Sequence, residues 1–492
     1  MPRPIALHPE NPKVFEYDGK PLMLFTATEH YGAVMNRPFD YLRYLGDMRE
    51  KRINYTRLFL LFRELQLPTN PYSTCKPESP DYIAPFGRTG PGKACDGEPK
   101  YDLELWDDEF FCRLHEFLGT AEKYGIIVEV TLFSNTYSPA VWSCNPLHAA
   151  NNLSGLDDIT VADYNTLRDP RRTELMERYV EKVVRETNRY TNIMYEICNE
   201  PGGDNIHLPN SPTCEESNAW VGHFIKLIRS LESKMENTHL ITGQEAYSFD
   251  QELLLYTDLS FDEIDFDVVM VHPTNSTVIS GKKYLLGGFM SRELYLENYR
   301  EFCLEGYKRK KPMCMDEDNA ATAFKDVCGW TIHRKRAWTA IFCGAHYNCI
   351  DFSVLPYLET GTPESNRHIR AWMGYIADYL DGVDLAKARP AADAIQKAPC
   401  GTVGSVLGEP SGTTHVYLAD AAEYGSPEYG RKIEASELVL DLKAGEYRVE
   451  LFSPVTGMFS PAAILRLGDG VPLRLPDFCH DIAVRLKLLK EV

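Results

Sequence analysis

Short apolar runs that end abruptly in polar, acidic or aromatic residues, each followed by a segment of helical spacing, recur along the first three quarters of this chain. The clearest is Asn192-Ile193-Met194-Tyr195-Glu196-Ile197-Cys198-Asn199-Glu200-Pro201. It begins as a β-compatible run and stops at a proline, whose missing N–H forbids further ladder pairing. Helix-like segments flank it, Arg171 to Tyr190 before and Cys214 to Lys234 after. Helix, buried strand, polar rim and helix again make one unit of a repeating β/α architecture. A parallel barrel gathers its chemistry on such rims, which makes the Glu200 carboxylate, with the Asn199 amide beside it, an acid/base candidate. Taken alone, Asn-Glu-Pro more often marks a loop than an active site, since Asn and Pro both favour turns.

The other units follow in order. Asp18-Gly19-Lys20-Pro21 reads as a hairpin turn feeding an apolar strand, Leu22 to Ala27, which ends in the rim Thr28-Glu29-His30-Tyr31. His30 there is either a structural hydrogen-bonder or a site residue. After a helix over Phe39 to Lys51, the strand Asn54 to Leu60 carries one charge, Arg57. Buried arginines are rare unless paired, so Arg57 is expected to meet a carboxylate in the barrel interior. The stretch from Arg63 to Lys100 is rich in Pro, Gly and Ser and has no period, so it reads as a loop over the site.

A helix over Trp106 to Tyr124, closed by Gly125, leads to a strand over Ile126 to Phe133. A second long loop, Ser134 to Asp169, holds Tyr137 and Trp142, whose rings suit either stacking on apolar sugar faces or packing the loop itself. Further strands are His239 to Thr242, weakly marked, and Asp267 to Val271, ended by His272-Pro273. A helix over Ser291 to Lys308 precedes the apolar run Lys311 to Met315, which opens onto Asp316-Glu317-Asp318. Period-two alternation puts Met313, Met315 and Glu317 on one face and Asp316 and Asp318 on the other. The acid run is either solvated surface or part of a site. Helix Val327 to Cys343, strand Ala345 to Phe352 and helix Asn366 to Leu380 complete eight units.

The expected fold is therefore a (β/α)8 TIM barrel over residues 1–382. An Ala, Pro and Gly linker over 383–399 follows, then a small antiparallel β-sandwich over 400–492. The sandwich is read from short β runs at His415 to Leu418, Leu438 to Leu442, Tyr447 to Phe452 and Ile482 to Leu489. The length of 492 residues suits a barrel of about 250 residues or more with an accessory module. A net charge of −19 argues against nucleic acid and anionic membranes as partners, since a phosphate backbone is held by clustered Lys and Arg. No run of 18 apolar residues occurs. Thirteen cysteines without a CxxC pair, several inside core strands (Cys198, Cys314, Cys349), read as buried thiols in a reducing compartment rather than a disulfide framework or a zinc site. Cytoplasmic localisation is the expectation, with secretion the alternative had a signal been trimmed.

In order and spacing these motifs resemble the cellulase-like clan A of retaining glycoside hydrolases. The resemblance runs over roughly Asn11 to Leu380 and rests on Asp18-Gly19-Lys20-Pro21, Arg57, Tyr195 to Pro201, His272 and Asp316-Glu317. The tail, with Val416-Tyr417-Leu418 and Phe452-Ser453-Pro454-Val455-Thr456-Gly457, resembles a β-sandwich module attached to members of that clan. The resemblance implies Glu200 as acid/base, Glu317 as nucleophile, Asn199 on the hydroxyl beside the anomeric carbon, Arg57 lowering the Glu317 pKa, and His272 hydrogen-bonding nearby. It implies a carbohydrate substrate, with no cofactor or metal. His30, Tyr31, Trp142 and Asp351 complete the expected substrate-binding set. Two departures concern the floor of the first sugar subsite: Pro273-Thr274-Asn275 stand where the clan has a Tyr, and Asp351-Phe352 where it has a Trp.

The pair is expected to carry opposite protonation states, with Glu200 raised and Glu317 ionised. Long loops after strands two and three suit exo action on a β-linked oligosaccharide. Two other readings stay open: a carbohydrate-binding barrel without catalysis, and a metal-dependent enzyme using His272, Asp316 and Asp318.

Overall fold

The structure, a computed structural model, describes residues 3–30, 32–61, 76, 80–159, 163–205, 210–249, 254–288, 291–320 and 326–491. Eight parallel strands form its centre: β1 (Phe25–Thr28), β2 (Tyr55–Phe59), β3 (Ile127–Ser134), β4 (Ile193–Asn199), β5 (Ile241–Gly243), β6 (Val268–Val271), β7 (Met313–Asp318) and β8 (His346–Ile350). They hydrogen-bond in the order β1-β8-β7-β6-β5-β4-β3-β2. The ladder stops at one seam, between β1 and β2, and side chains bridge it there. Phe25 N donates to Asn54 Oδ1 (3.2 Å), Asn54 Nδ2 donates to Met23 O (2.8 Å), and the Thr28 and Thr56 hydroxyls lie 3.1 Å apart.

Each strand is followed by a helix: α1 (Tyr41–Glu50), α2 (Asp108–Tyr124), α3 (Pro170–Thr187), α4 (Cys214–Glu232), α5 (Asp258–Asp262), α6 (Leu296–Lys308), α7 (Val327–Phe342) and α8 (Ala371–Leu380). Local chemistry sets their ends. Asp107 and Asp169 cap α2 and α3, Thr213 and Glu216 form a capping box at α4, and Gly125 closes α2 at φ 71°. The expected helix over Asn366 to Leu380 begins with a wider π turn over Asn366–Arg370. Gly374 of α8 lies against the C-terminal end of α1, where a Cβ would come 2.1 Å from Lys51 O.

The run expected as one strand at Leu22 to Ala27 is divided. Lys20–Leu22 finishes an N-terminal sheet with Ala6–His8 and Asn11–Tyr17, and β1 starts at Phe25. The turn between the last two sheet strands holds Asp18 (φ 50°) and Gly19 (φ 69°), the positive angles that a tight hairpin needs. This sheet covers the bottom of the barrel: Ile5, Phe15 and Leu24 pack with Tyr55, Ile127, Met194 and Val268. Cys198, Cys314 and Cys349 are buried free thiols.

Two differences concern the rim. The stretch read as a period-free loop after β2 contains the start of a hairpin, Phe86–Lys93 with Pro99–Trp106, whose second strand runs past Lys100 and takes Trp106 from the expected helix. The Arg88 guanidinium lies 3.8 Å from the Tyr101 ring and braces it. Segments after β4, β5 and β6 together build a five-stranded sheet above the barrel mouth: Gly202–Gly203, Tyr247–Ser248, Leu254–Tyr256, Ser276–Ile279 and Lys282–Tyr284.

Beyond α8 the strands are antiparallel, built chiefly on Thr402–Gly408, Thr413–Asp420, Gly445–Ser453 and Asp481–Glu491. The segment read as a linker contains two short strands of these sheets, Arg389–Pro390 and Ile395–Lys397. The module has a core of its own around Val416, Leu438, Val449 and Val484. It also covers α7, from which Trp330 to Phe342 are all buried. Trp338 stacks on Tyr417 (5.5 Å, 23°), Arg334 forms a two-pronged pair with Asp481 (2.9 and 3.0 Å), and Lys335 Nζ donates to Asp420 O (2.8 Å).

Candidate active site

Inward-facing positions of the barrel strands are polar at one level, and Arg57 of β2 is their centre. Its Nη1 donates to Glu317 Oε1, and its Nη2 to Glu196 Oε2 (2.5 Å) and Asn199 Oδ1 (3.0 Å). Its Nε lies 3.2 Å from Asp316 Oδ2 and 3.3 Å from Glu129 Oε2. The single carboxylate expected from the sequence is four. Such density is sustained by further donors: Tyr55 and Thr242 hydroxyls to Glu129, Thr131 to Glu196 (2.6 Å), and Asn348 Nδ2 to Asp316 (2.6 Å).

His272, just past β6, joins this layer to the mouth. Its Nε2 lies 3.1 Å from Asp316 Oδ2, while its Nδ1 lies 3.0 Å from Glu200 Oε1 and 3.4 Å from Glu317 Oε2. Glu200 Oε2 accepts from the Tyr137 hydroxyl (2.6 Å), which in turn accepts from Asn199 Nδ2 (2.6 Å). The Tyr247 hydroxyl lies 3.4 Å from Glu200 Oε1. One carboxylate oxygen of Glu200 and one of Glu317 lie within 4.8 Å of each other. Both line a pocket of about 150 Å³ with His272 at the base, whose walls include Tyr247, Thr274, Asn275 and Asn319. Those walls come from segments adjoining the mouth sheet and from the end of β7.

Backbone geometry aims these side chains. Tyr137 (φ 52°), Glu200 (φ 49°) and Glu317 (φ 47°) all occupy the left-handed region, at about 1–3 kcal/mol each for a non-glycine residue. At Glu317 the β7–β8 register also shifts, between Met315 and Asp318. Strict alternation would send Asp316 and Glu317 to opposite faces. The irregularity instead brings both to Arg57 and leaves Asp318 on the outer side, where it accepts from Arg336 Nη1 (2.8 Å) and the Tyr347 hydroxyl (3.3 Å).

The protonation order also differs from the sequence expectation. Burial pushes the Glu317 carboxyl up to about 7, against the charges of Arg57 and His272. Burial works the same way on Glu200. There it is outweighed by the His272 hydrogen bond and charge, the Tyr137 hydroxyl and Arg57, so Glu200 sits below the usual carboxylate range. Burial disfavours a charged His272, but Glu317, Asp316 and Glu200 around it hold the imidazolium well above its ordinary pKa. Glu200 is the ionised member in this arrangement, because His272 reaches it directly while Glu317 is the more deeply buried: 4% of its side chain is exposed, against 24% for Glu200.

The structure thus brings Arg57, Asn199, Glu200, His272 and Glu317 together. It does not bring Trp142 or Asp351 to the pair. Trp142 is buried in its own loop, donating from Nε1 to Ile159 O (3.1 Å) and packing on Tyr164. Asp351 is buried too and accepts from Ser353 N (3.0 Å), Ser353 Oγ (2.7 Å) and Ser365 Oγ. His30 lies edge-on to Phe352 (4.7 Å), and burial, with Arg57 nearby, holds it neutral. Tyr31 lies outside the described residues.

The metal set His272, Asp316 and Asp318 is not assembled, because Asp318 faces away. Among the described residues, two other groups have ligand atoms within 4.8 Å of one another, Glu196-His272-Asp316 and Glu200-His272-Glu317. Arg57 already places positive charge on a carboxylate of each. Residues the sequence reading did not single out are Glu129, Glu196 and Tyr247. The first two sit at alternate inward positions of β3 and β4, a pattern visible once Arg57 demands partners.

The family model described as "Cellulase (glycosyl hydrolase family 5)" matches residues 84–336, just over half of the chain. No curated protein matches it by sequence. Among solved structures, one described as a glycoside hydrolase superposes with a TM-score of 0.55 at 11% identity, covering 99% of this chain and 97% of its own. A glycoside hydrolase family 5 structure from Bacteroides vulgatus gives 0.55 at 10% identity, covering 98% and 93%. A second Bacteroides vulgatus structure, described as a putative glycoside hydrolase, gives 0.62 at 12% identity, covering 99% and 82%. At these identities the structures share the fold.

Proposed function

The chain belongs to glycosyl hydrolase family 5, the cellulase family of retaining glycosidases, and from that membership we propose a double displacement on a β-linked oligosaccharide or glycoside with Glu200 and Glu317 as the working pair. The observation that carries the assignment is their spacing. One carboxylate oxygen of each lies within 4.8 Å of one of the other's across one pocket, which suits the close pairing of about 5–5.5 Å between carboxyl groups that retention needs.

In the first step Glu317 attacks the anomeric carbon as Glu200 gives its proton to the departing oxygen, leaving a glycosyl ester on Glu317. In the second, Glu200, now ionised, takes a proton from water, the water oxygen bonds the anomeric carbon, and the Glu317 carboxylate departs. Arg57 stabilises the Glu317 carboxylate as it leaves. Asn199, its Oδ1 held by Arg57, presents Nδ2 to the neighbouring ring hydroxyl. Among the described residues the pocket walls offer the hydroxyls of Tyr247 and Thr274 and the amides of Asn275 and Asn319 for hydrogen bonds to the first sugar. A pocket of about 150 Å³ bounded by the mouth sheet favours exo action on short chains.

The test is kinetic, on a panel of 4-nitrophenyl β-glycosides and β-linked oligosaccharides. Glu200→Gln should lose at least about a hundredfold on oligosaccharides and far less on activated aryl glycosides, whose leaving groups need no proton. Glu317→Gln should lose about 10⁴-fold on both. Equal and mild losses in the two variants refute the assignment.

A further inference from the structure

Glu200 holds a hydrogen bond that the double displacement does not use. The Tyr137 hydroxyl donates to its Oε2 (2.6 Å) and accepts from Asn199 Nδ2 (2.6 Å). Those are the two groups the reaction needs for substrate, one for the departing oxygen and one for the adjacent ring hydroxyl. A phenol that donates to a carboxylate and accepts from an amide has the hydrogen-bonding pattern of a sugar hydroxyl.

Tyr137 also stands at the open edge of the site. It is 45% exposed and sits in left-handed backbone (φ 52°) on the segment between β3 and the short helix Pro139–Trp142. Its neighbour Asn135 ties that segment to the site independently of the phenol: Asn135 Oδ1 accepts from Tyr137 N (3.1 Å), and Asn135 Nδ2 donates to Glu200 O (3.1 Å).

We infer that the Tyr137 hydroxyl is a positioning group standing in for substrate in the ligand-free protein, bridging Asn199 and Glu200 where a ring hydroxyl and the glycosidic oxygen bind, and that substrate displaces it on entry. This rests on the roles proposed above for Glu200 and Asn199. The consequence is a coupling between binding and acidity. With the phenol in place, Glu200 has a donor that favours its ionised form. Once substrate displaces it, the groups facing Glu200 are His272 from β6, Arg57 from β2, Glu317 from β7, Cys198 from β4 and Tyr247 from the mouth sheet. The carboxyl has then lost a hydrogen bond and its remaining water together, and its proton affinity rises when an acid is required. That accounts for a free protein in which Glu200 is the ionised member of the pair.

The experiment compares Tyr137→Phe with the unaltered enzyme on the β-linked oligosaccharide found by the panel, whose leaving group needs the proton, across pH, with Glu200→Gln measured alongside on that substrate and on the 4-nitrophenyl β-glycoside. The substitution keeps the ring at a half-exposed position and removes only the hydroxyl. kcat/KM reports the free protein and kcat the complex. The variant should raise kcat/KM at its optimum by up to about tenfold through a lower KM and move the acid limb of kcat/KM up by about one pH unit. kcat and its pH profile should stay within about twofold, because the phenol has already left the complex. A fall in kcat overturns the inference, since the hydroxyl would then act in the complex. So does a kcat/KM profile that does not move. If those outcomes occur while Glu200→Gln still discriminates between leaving groups, the stand-in role fails alone; if Glu200→Gln does not discriminate, the reading beneath it fails and takes this one with it.

Discussion

At the scale of single residues, the site is a contest between burial and a few charges placed at hydrogen-bond distance. Burial raises both Glu200 and Glu317, yet they are driven in opposite directions, because His272 and Tyr137 reach Glu200 while Glu317 relies on Arg57 against deeper burial. The sign has a consequence for rate against pH. The productive pair carries one proton. A Glu317 carboxyl at about 7 loses that proton as pH rises through 7, and a depressed Glu200 gains a second only below the ordinary carboxylate range. kcat/KM should therefore form a bell with its basic limb near pH 7 and a plateau through the acid range. A profile flat to pH 9 would contradict this balance of burial and charge. Glu200 and Arg57 could be marked from the sequence because a charge at the end or in the middle of an apolar run needs a reason to be there, whereas Glu317 was singled out from its acidic neighbours by the family resemblance. The order of their proton affinities could not, since it depends on which oxygen His272 touches.

At the scale of elements, periodicity carried the strands and helices of the barrel, and rim positions followed from where each apolar run stopped. What alternation cannot show is its own failure. The left-handed turn at Glu317 and the register shift after Met315 let two successive acids point inward, and no pattern of residue types announces it. The hairpin over residues 86–106 was hidden by a Gly- and Pro-rich composition, and its pairing is sustained instead by Arg88 against Tyr101 and Asp96. The mouth sheet was hidden for another reason. Its strands are two to four residues long and come from three separate connections, so each is too short to show a period. Trp142 shows the reverse limit: an aromatic in a rim loop suits a sugar platform until a carbonyl, that of Ile159, is found to hold its indole N–H inside. Across the seam between β1 and β2, Asn54 does by side chain what a ladder does elsewhere, at a position the sequence marks only as the start of a strand.

At the scale of the whole molecule, the C-terminal module is part of the barrel's own packing. It buries a face of α7 that a free-standing barrel would leave to water, and it supplies the Asp481 carboxylate and the Asp420 carbonyl that receive Arg334 and Lys335. Breaking one buried pair of this kind costs about 3–5 kcal/mol, against a total stability of about 5–15 kcal/mol. A protein ending at residue 382 should therefore fail to melt cooperatively, as followed by near-ultraviolet circular dichroism. A soluble fragment with a transition within a few degrees of the full chain would show the barrel to be self-sufficient. All of these layers, from bottom sheet to mouth sheet, converge on one pair of acids, and the central claim is that Glu317 makes the covalent bond. The most direct measurement is trapping with a 2-deoxy-2-fluoro glycoside bearing an activated leaving group, which slows release of the glycosyl ester, followed by mass spectrometry of the digested protein. The label is expected on Glu317, with Glu317→Gln unlabelled; a label on any other residue, or turnover with inversion at the anomeric carbon, would contradict the account.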